Sequence, residues 1–271
     1  MGKIKSMEML NITKKFPGVI ANDNVNLKIE SGEILALLGE NGAGKTTLMN
    51  ILYGLYHPNG GQILINDQEI KINSPQKSLE LGIGMVHQHF MLVPSLTVTE
   101  NVALGIKFKN KFSMNLAQLA EKIRILSEQQ NLNIEPDLLI SDLSVGERQK
   151  VEIIKALYFN ANILVLDEPT AALTPQETDH LIKWLRSVIK EGMGVIFITH
   201  KLNEVMQVSD RVEVLRNGKH VFSTQTSKTN IDQLARNMAG REVKLATAER
   251  KNDFGDTIIE LEDVWAKNER G

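Results

Sequence analysis

The residues Gly39-Glu40-Asn41-Gly42-Ala43-Gly44-Lys45-Thr46-Thr47 follow the spacing G-x-x-x-x-G-K-[ST]. Glycines at 39, 42 and 44 let the backbone turn tightly and aim N–H groups at phosphate oxygens, at the positive end of the helix that follows. Lys45 is placed to reach the β- and γ-phosphates, and Thr46 to bind Mg²⁺. The expected nucleotide-binding residues of this loop are Gly39, Asn41, Gly42, Ala43, Gly44, Lys45, Thr46 and Thr47.

Three further groups could act on such a nucleotide. Asp167-Glu168 ends the apolar run 163–166, which puts two carboxylates at the carboxyl edge of a sheet. There Asp167 could hold Mg²⁺ through water and Glu168 could polarise an attacking water. Leu143-Ser144-Val145-Gly146-Glu147 opens a helix, so Ser144, Gly146 and Glu147 make either a second anion site or an ordinary serine cap. His200 closes the run 195–199, either bonding a γ-phosphate and orienting Glu168 or standing as a polar strand end. His87 and His89 flank Gln88 and read as structural or surface residues.

The elements that must position these groups are legible from periodicity. The apolar run 34–38 predicts a buried parallel strand, and Leu48, Ile51, Leu52 and Leu55 predict the helix after the glycine loop. A strand is expected near 7–13, and Val25, Leu27 and Ile29 alternate with polar residues as in a half-buried strand, so the chain opens with an antiparallel β element. Pro58, Asn59, Gly60 and Gly61 predict a turn, 62–65 a strand, and Asn66-Asp67 a second turn. Leu116, Leu119, Ala120, Ile123 and Leu126 mark an amphipathic helix in an insertion around 110–140. Between the strands 163–166 and 195–199, Leu181, Trp184, Leu185 and Val188 share one helix face, started by the capping box Thr174-Pro175-Gln176-Glu177. Strands alternating with helices give an α/β fold with a mainly parallel sheet flanked by helices, an antiparallel β subdomain and a helical insertion.

Composition narrows the function classes. The 271 residues are 42% hydrophobic and 24% charged, enough for one large domain or two modest ones. A net charge of −2 without basic runs gives no case for direct nucleic-acid binding. The absence of cysteine excludes disulfides and thiolate metal sites. No apolar run approaches the roughly 20 residues needed to span a bilayer, so a membrane role is expected to run through partners. Residues 7–12 and 259–264 share an apolar-Glu-apolar-x-Asn/Asp-apolar pattern, a weak internal repeat.

Taken in order, these residues resemble the nucleotide-binding subunits of ABC transporters, whose core is a P-loop NTPase fold. In that likeness 39–46 is the P-loop, Gln88 the glutamine loop, 143–147 the signature motif, 163–168 Walker B with its glutamate, 171–174 the D-loop and His200 the switch histidine. The resemblance implies ATP and Mg²⁺ as ligands, Glu168, His200 and Gln88 as catalytic residues, and Thr46, Gln88 and Asp167 around the metal. It also places Phe16 where an aromatic stacks on adenine, a core phenylalanine being the alternative. Val145, Glu147 and Thr174 depart from the commonest signature and D-loop residues. Leu-Ser-Val-Gly and Thr-Ala-x-Leu-Thr-Pro-Gln-Glu look like the branch importing sugars and nucleosides, whose chains carry two ATPase domains in tandem, and within that branch residues 86–94 resemble the nucleoside type more than the ribose type.

That resemblance implies an ATPase domain over 1–245, with a helical subdomain at about 90–160, and a linker plus first strand of a second ATPase domain over 246–271. The implied partners are that second domain, transmembrane permease subunits and a substrate-binding protein, with the chain peripheral on the cytoplasmic side of the membrane. Two domains closing head to tail would explain two anion sites in one chain. A rival class is a soluble ABC ATPase acting with nucleic acid or ribosome. Chromosome-organising relatives need a long coiled coil between P-loop and signature, whereas about a hundred residues without sustained heptads separate Lys45 from Leu143.

Overall fold

The computed structural model describes residues 4–106, 115–240, 262, 263 and 265. The expected linker, the second member of the repeat and the start of a second domain therefore lie almost wholly outside the described residues.

The chain opens with two long strands, β1 (Ser6–Phe16) and β2 (Val19–Glu30), paired antiparallel. Val25, Leu27 and Ile29 are buried while Asn26 and Lys28 are exposed, as the alternation requires. Next come β3 (Ile34–Leu38) and α1 (Lys45–Leu52), joined by the glycine loop. The helix is shorter than its apolar spacing suggested. Gly54 has φ +81°, and a Cβ there would run into the Ser74 backbone; the chain turns away at this glycine and leaves Leu55 42% exposed.

Strand β4 (Gly60–Ile65) includes Gly60 and Gly61, which were expected in a turn, and pairs antiparallel with β1. Gly61, at φ +92° against the Leu10 and Asn11 carbonyls, sits where the register slips, so glycine lets the two backbones approach at a bulge. The Asn66-Asp67 turn, with both residues at positive φ, leads to β5 (Gln68–Glu69). Then follow α2 (Pro75–Glu80), β6 (Ile83–Val86), the helical insertion α3 (Val98–Ala103) and α4 (Leu116–Gln129), and α5 (Val145–Tyr158). Strand β7 (Ile163–Asp167), α6 (Pro175–Lys190), β8 (Gly194–Thr199), α7 (Leu202–Val208), β9 (Arg211–Arg216), β10 (Lys219–Gln225) and α8 (Ile231–Ala239) complete the order.

Among the described residues, the strands form an antiparallel sheet β2-β1-β4-β5 and a mainly parallel sheet β10-β9-β3-β8-β7-β6. The parallel strands are buried on both faces. Leu164, Leu166, Val195 and Phe197 pack toward α5 and α6, whereas Ile163, Val165, Ile196 and Ile198 pack with α1 and the antiparallel sheet. Burying each such side chain contributes about 1.5–3 kcal/mol, which fixes the register. Because β3, β6, β7 and β8 run parallel, the segments following all four emerge at one edge. Strand β8 lies between β3 and β7, so the carboxylates and the glycine loop follow next-but-one strands.

Candidate nucleotide site

The glycine loop is locked by its surroundings. A Cβ on Gly39 would run into the Leu215 carbonyl, and one on Gly44, at φ +98°, into that of Ala21; Gly42, at φ +81°, faces open space. Asn22, fully buried in β2, donates its side-chain amide to the Gly44 carbonyl at 3.1 Å. The Asn217-Gly218 turn between β9 and β10 clamps the other side. Its Gly218 N–H donates to the Ala43 carbonyl at 3.1 Å, while the Asp23 N–H donates to the Gly218 carbonyl at 2.8 Å. The loop's free N–H groups are thus held facing a cleft of about 680 Å³, lined by Asn41, Gly42, Ala43, Gly44, Lys45, Thr46, Thr47, Gln88 and Glu168.

Lys45 is buried and donates to the Gly39 and Glu40 carbonyls at 2.6 and 3.0 Å. An ammonium has three donors, which leaves one over for the cleft. Burial lowers its pKa, opposed by the charges of Glu168 and Asp167. Asp167, also buried, has its carboxyl pKa raised by burial; a hydrogen bond with Thr46 pulls it down, Glu168 pushes it up and Lys45 pulls it down. Each charge is therefore held at a desolvation cost that a counter-charge in the cleft would relieve. A polyphosphate would satisfy Lys45. A hard divalent cation would be suited by the oxygens of Thr46, Asp167 and Gln88. The residues present fit both groups.

Glu168 sits one residue beyond β7 at φ +47°, a left-handed conformation uncommon for a non-glycine residue. Its N–H donates to the Ile198 carbonyl at 3.0 Å, and its carboxylate accepts from Gln88 Nε2 at 3.2 Å and from His200 Nδ1 at 2.9 Å. A carboxylate oxygen can only accept, so His200 carries a proton on Nδ1 in this pair. His200 is in turn fixed by its neighbours. Thr199 and Thr170 both donate to Glu204, at 3.1 and 2.7 Å, and Lys201 pairs with Glu204 at 3.0 Å, bracing the end of β8 against the segment after Glu168.

The structure thus brings Lys45, Thr46, Gln88, Asp167, Glu168 and His200 together. It does not bring Ser144, Gly146 or Glu147 to the same cleft. Ser144 caps α5: its Oγ accepts from the Glu147 N–H at 3.3 Å, and the Glu147 carboxylate accepts from the Ser144 N–H at 2.8 Å. Only Val145 and Gln149 from this region reach a narrow gap of about 30 Å³ lined also by Gln88 and Glu168.

Phe16 packs edge-on against Tyr56 at 5.5 Å, with Lys14 Nζ 5.1 Å from its ring, and is not among the residues lining the P-loop cleft. Its apolar wall comes from Val19, Ile20 and Ala21, with Val19 and Ile20 58% and 50% exposed. Sequence reasoning missed these, together with Asn22, Asn217 and Gly218. The Asn-Gly pair was a readable hairpin signal, whereas nothing in the sequence says which hairpin would grip the loop.

An α/β core with this loop at the end of one strand and paired carboxylates at the end of another defines a P-loop nucleotide-binding cassette. Residues 22–171 match the family model described as ABC transporter. The chain is 47% identical over 265 residues to the nucleoside import ATP-binding protein NupA of Lactococcus lactis, covering 98% of this chain and 52% of that protein. It is equally similar, with the same coverage, to the guanosine import ATP-binding protein NupO of Bacillus subtilis. Its fold resembles a dimeric, post-hydrolysis ATP-binding cassette bound to ADP and Pi, at a TM-score of 0.69 and 29% identity over 81% of this chain and 98% of that one. The chain belongs to the ABC transporter family. It spans about half the length of the curated relatives it matches.

Proposed function

We propose that this chain binds Mg²⁺–ATP and hydrolyses it to drive import of a small molecule, nucleosides being the class that the names of its relatives favour. The observation carrying this reading is the convergence on Glu168: a strained backbone, Gln88 and His200 together aim one carboxylate at the mouth of the P-loop cleft. Lys45 and the loop N–H groups hold the β- and γ-phosphates. Thr46, Asp167 and Gln88 would hold Mg²⁺, which when bound would supply positive charge beside the phosphoryl oxygens. Glu168 orients and polarises the attacking water, and His200 faces the γ-phosphate through its second ring nitrogen. Val19 and Ile20 provide the apolar support for the base, while Phe16, packed on Tyr56, stands outside the cleft lining.

The capped Ser144 and Gly146, away from this chain's own P-loop cleft, fit a head-to-tail pairing in which they meet ATP held by a second cassette. That second ATPase domain, membrane permease subunits and a substrate-binding protein are the proposed partners. Among the described residues no helix is long and apolar enough to cross a membrane. The proposed location is peripheral, against the permease subunits on the cytoplasmic side, where ATP is available. In the complete transporter, Glu168→Gln should leave Mg²⁺–ATP affinity within about threefold while lowering turnover at least about a hundredfold. Unchanged hydrolysis by that variant would refute the assignment.

A further inference from the structure

Glu152 is a buried carboxylate on the inner face of α5, 3% exposed. Burial raises its carboxyl pKa, against the charge of Lys155 and the hydrogen bond it accepts from a backbone N–H. That donor is Met91, at 2.9 Å, three residues beyond Gln88. Across from it, at the far end of α1, stands Tyr53, its phenol pushed up to about 12 by burial and then by the Glu152 charge. An apolar side chain would pack here without the desolvation cost, so packing alone does not account for a carboxylate.

The rest of the same loop is also tied to the start of α5. Val93 exchanges hydrogen bonds with Asn101 of α3, its N–H to Oδ1 at 2.7 Å and its carbonyl from Nδ2 at 3.1 Å. The Pro94 and Leu96 carbonyls accept from the N–H groups of Ser141 and Ile140, at 3.0 and 3.1 Å, just before Leu143 and Ser144. Arg148 of α5 closes the circuit onto the carbonyls of those same two residues, at 3.1 Å to Ile140 and 3.2 Å to Ser141. Starting from Glu168, bonded contacts run through Gln88 and the loop to α5, whose first residues carry Ser144 and Gly146. Glu152 is the point where the loop grips the helix body.

We propose that Glu152 is a positioning residue: by holding the Met91 N–H it makes α5, and with it Ser144 and Gly146, follow the movement of Gln88 when nucleotide enters the cleft. This rests on the ATPase reading above. A loop shift of an ångström or so would pass to a rigid helix through a short bond between buried partners, but would dissipate if that bond were absent.

These 271 residues contain no cysteine, so Glu128→Cys on α4 and Ser223→Cys on β10 give one pair of spin-labelling sites here, used in a complete transporter with Glu168→Gln in which any cysteine elsewhere has been replaced by serine. Mg²⁺–ATP should change the distance between the labels. Adding Glu152→Ala should cut that change by more than half with ATP affinity kept within about threefold, and Glu152→Gln, whose amide oxygen still accepts from Met91, should restore it. Three results would overturn the proposal: a full response from Glu152→Ala, loss of ATP binding by it, or failure of Glu152→Gln to rescue. Should Glu152→Ala not fold, Glu152→Leu replaces it; if neither folds, the bond serves folding and the proposal falls. No response in the parent pair would instead remove the closure on which the functional reading rests, and this inference with it.

Discussion

At the scale of single residues, the site holds charges that the folded chain alone would rather not hold. Asp167 and Lys45 are both displaced by burial toward their neutral forms, and Glu168 occupies a left-handed backbone well. The Asp167 carboxyl lies above its ordinary value of 3.8, so the cost of its charge is absent at lower pH and grows as the pH rises through the shifted range. Asp167→Asn removes that cost. It should raise the melting temperature of the nucleotide-free chain at pH 7, with the gain fading toward pH 3, while abolishing Mg²⁺-dependent turnover; thermal scans across pH check this, and a variant less stable at pH 7 would contradict it. Which residues carry charge chemistry was legible in the sequence, because Gly39 to Thr46 and Asp167-Glu168 are contiguous. The aim of each side chain was not: nothing in the run Leu166-Asp167-Glu168 tells that Glu168 turns to φ +47° to meet Gln88 and His200.

At the scale of elements, the phosphate loop works because two other elements wedge it. Gly44 touches the Ala21 carbonyl of β2, and Ala43 is tied to the turn between β9 and β10. Gly44→Ala would place a Cβ against that carbonyl at φ +98°. It should cost about 1–3 kcal/mol of stability and eliminate measurable ATP binding, as calorimetry with and without Mg²⁺–ATP would report; wild-type affinity would show that the wedge does not set the loop. Strand and helix existence followed from period-2 and period-3.6 patterns, and the Thr174 and Glu177 capping box formed as its spacing required. The misses occurred where contacts between distant segments overrode local signals. Gly60 and Gly61 look like turn residues but enter β4 because Gly61 fits a bulge against β1. Leu55 keeps the helical spacing yet lies past Gly54, whose close approach to Ser74 ends the helix.

At the scale of the whole molecule, parallel strands gather the P-loop, Gln88, Asp167, Glu168 and His200 at one sheet edge, while Ser144 and Gly146 stand apart at the head of α5. The order of motifs was readable from sequence, but the interleaving of β8 between β3 and β7 was not, since strand order depends on crossovers rather than local pattern. The separation of the two half-sites is what a head-to-tail pair of cassettes would use, each supplying its signature to the other's nucleotide. The most direct measurement of that claim is Mg²⁺–ATP hydrolysis by residues 1–271, alone and mixed with a segment carrying the proposed second ATPase domain. The chain alone should bind Mg²⁺–ATP but turn it over slowly, with specific activity rising with protein concentration, and the added segment should raise the rate at least about tenfold. Full, concentration-independent turnover by the chain alone, unaffected by the added segment, would contradict the shared site.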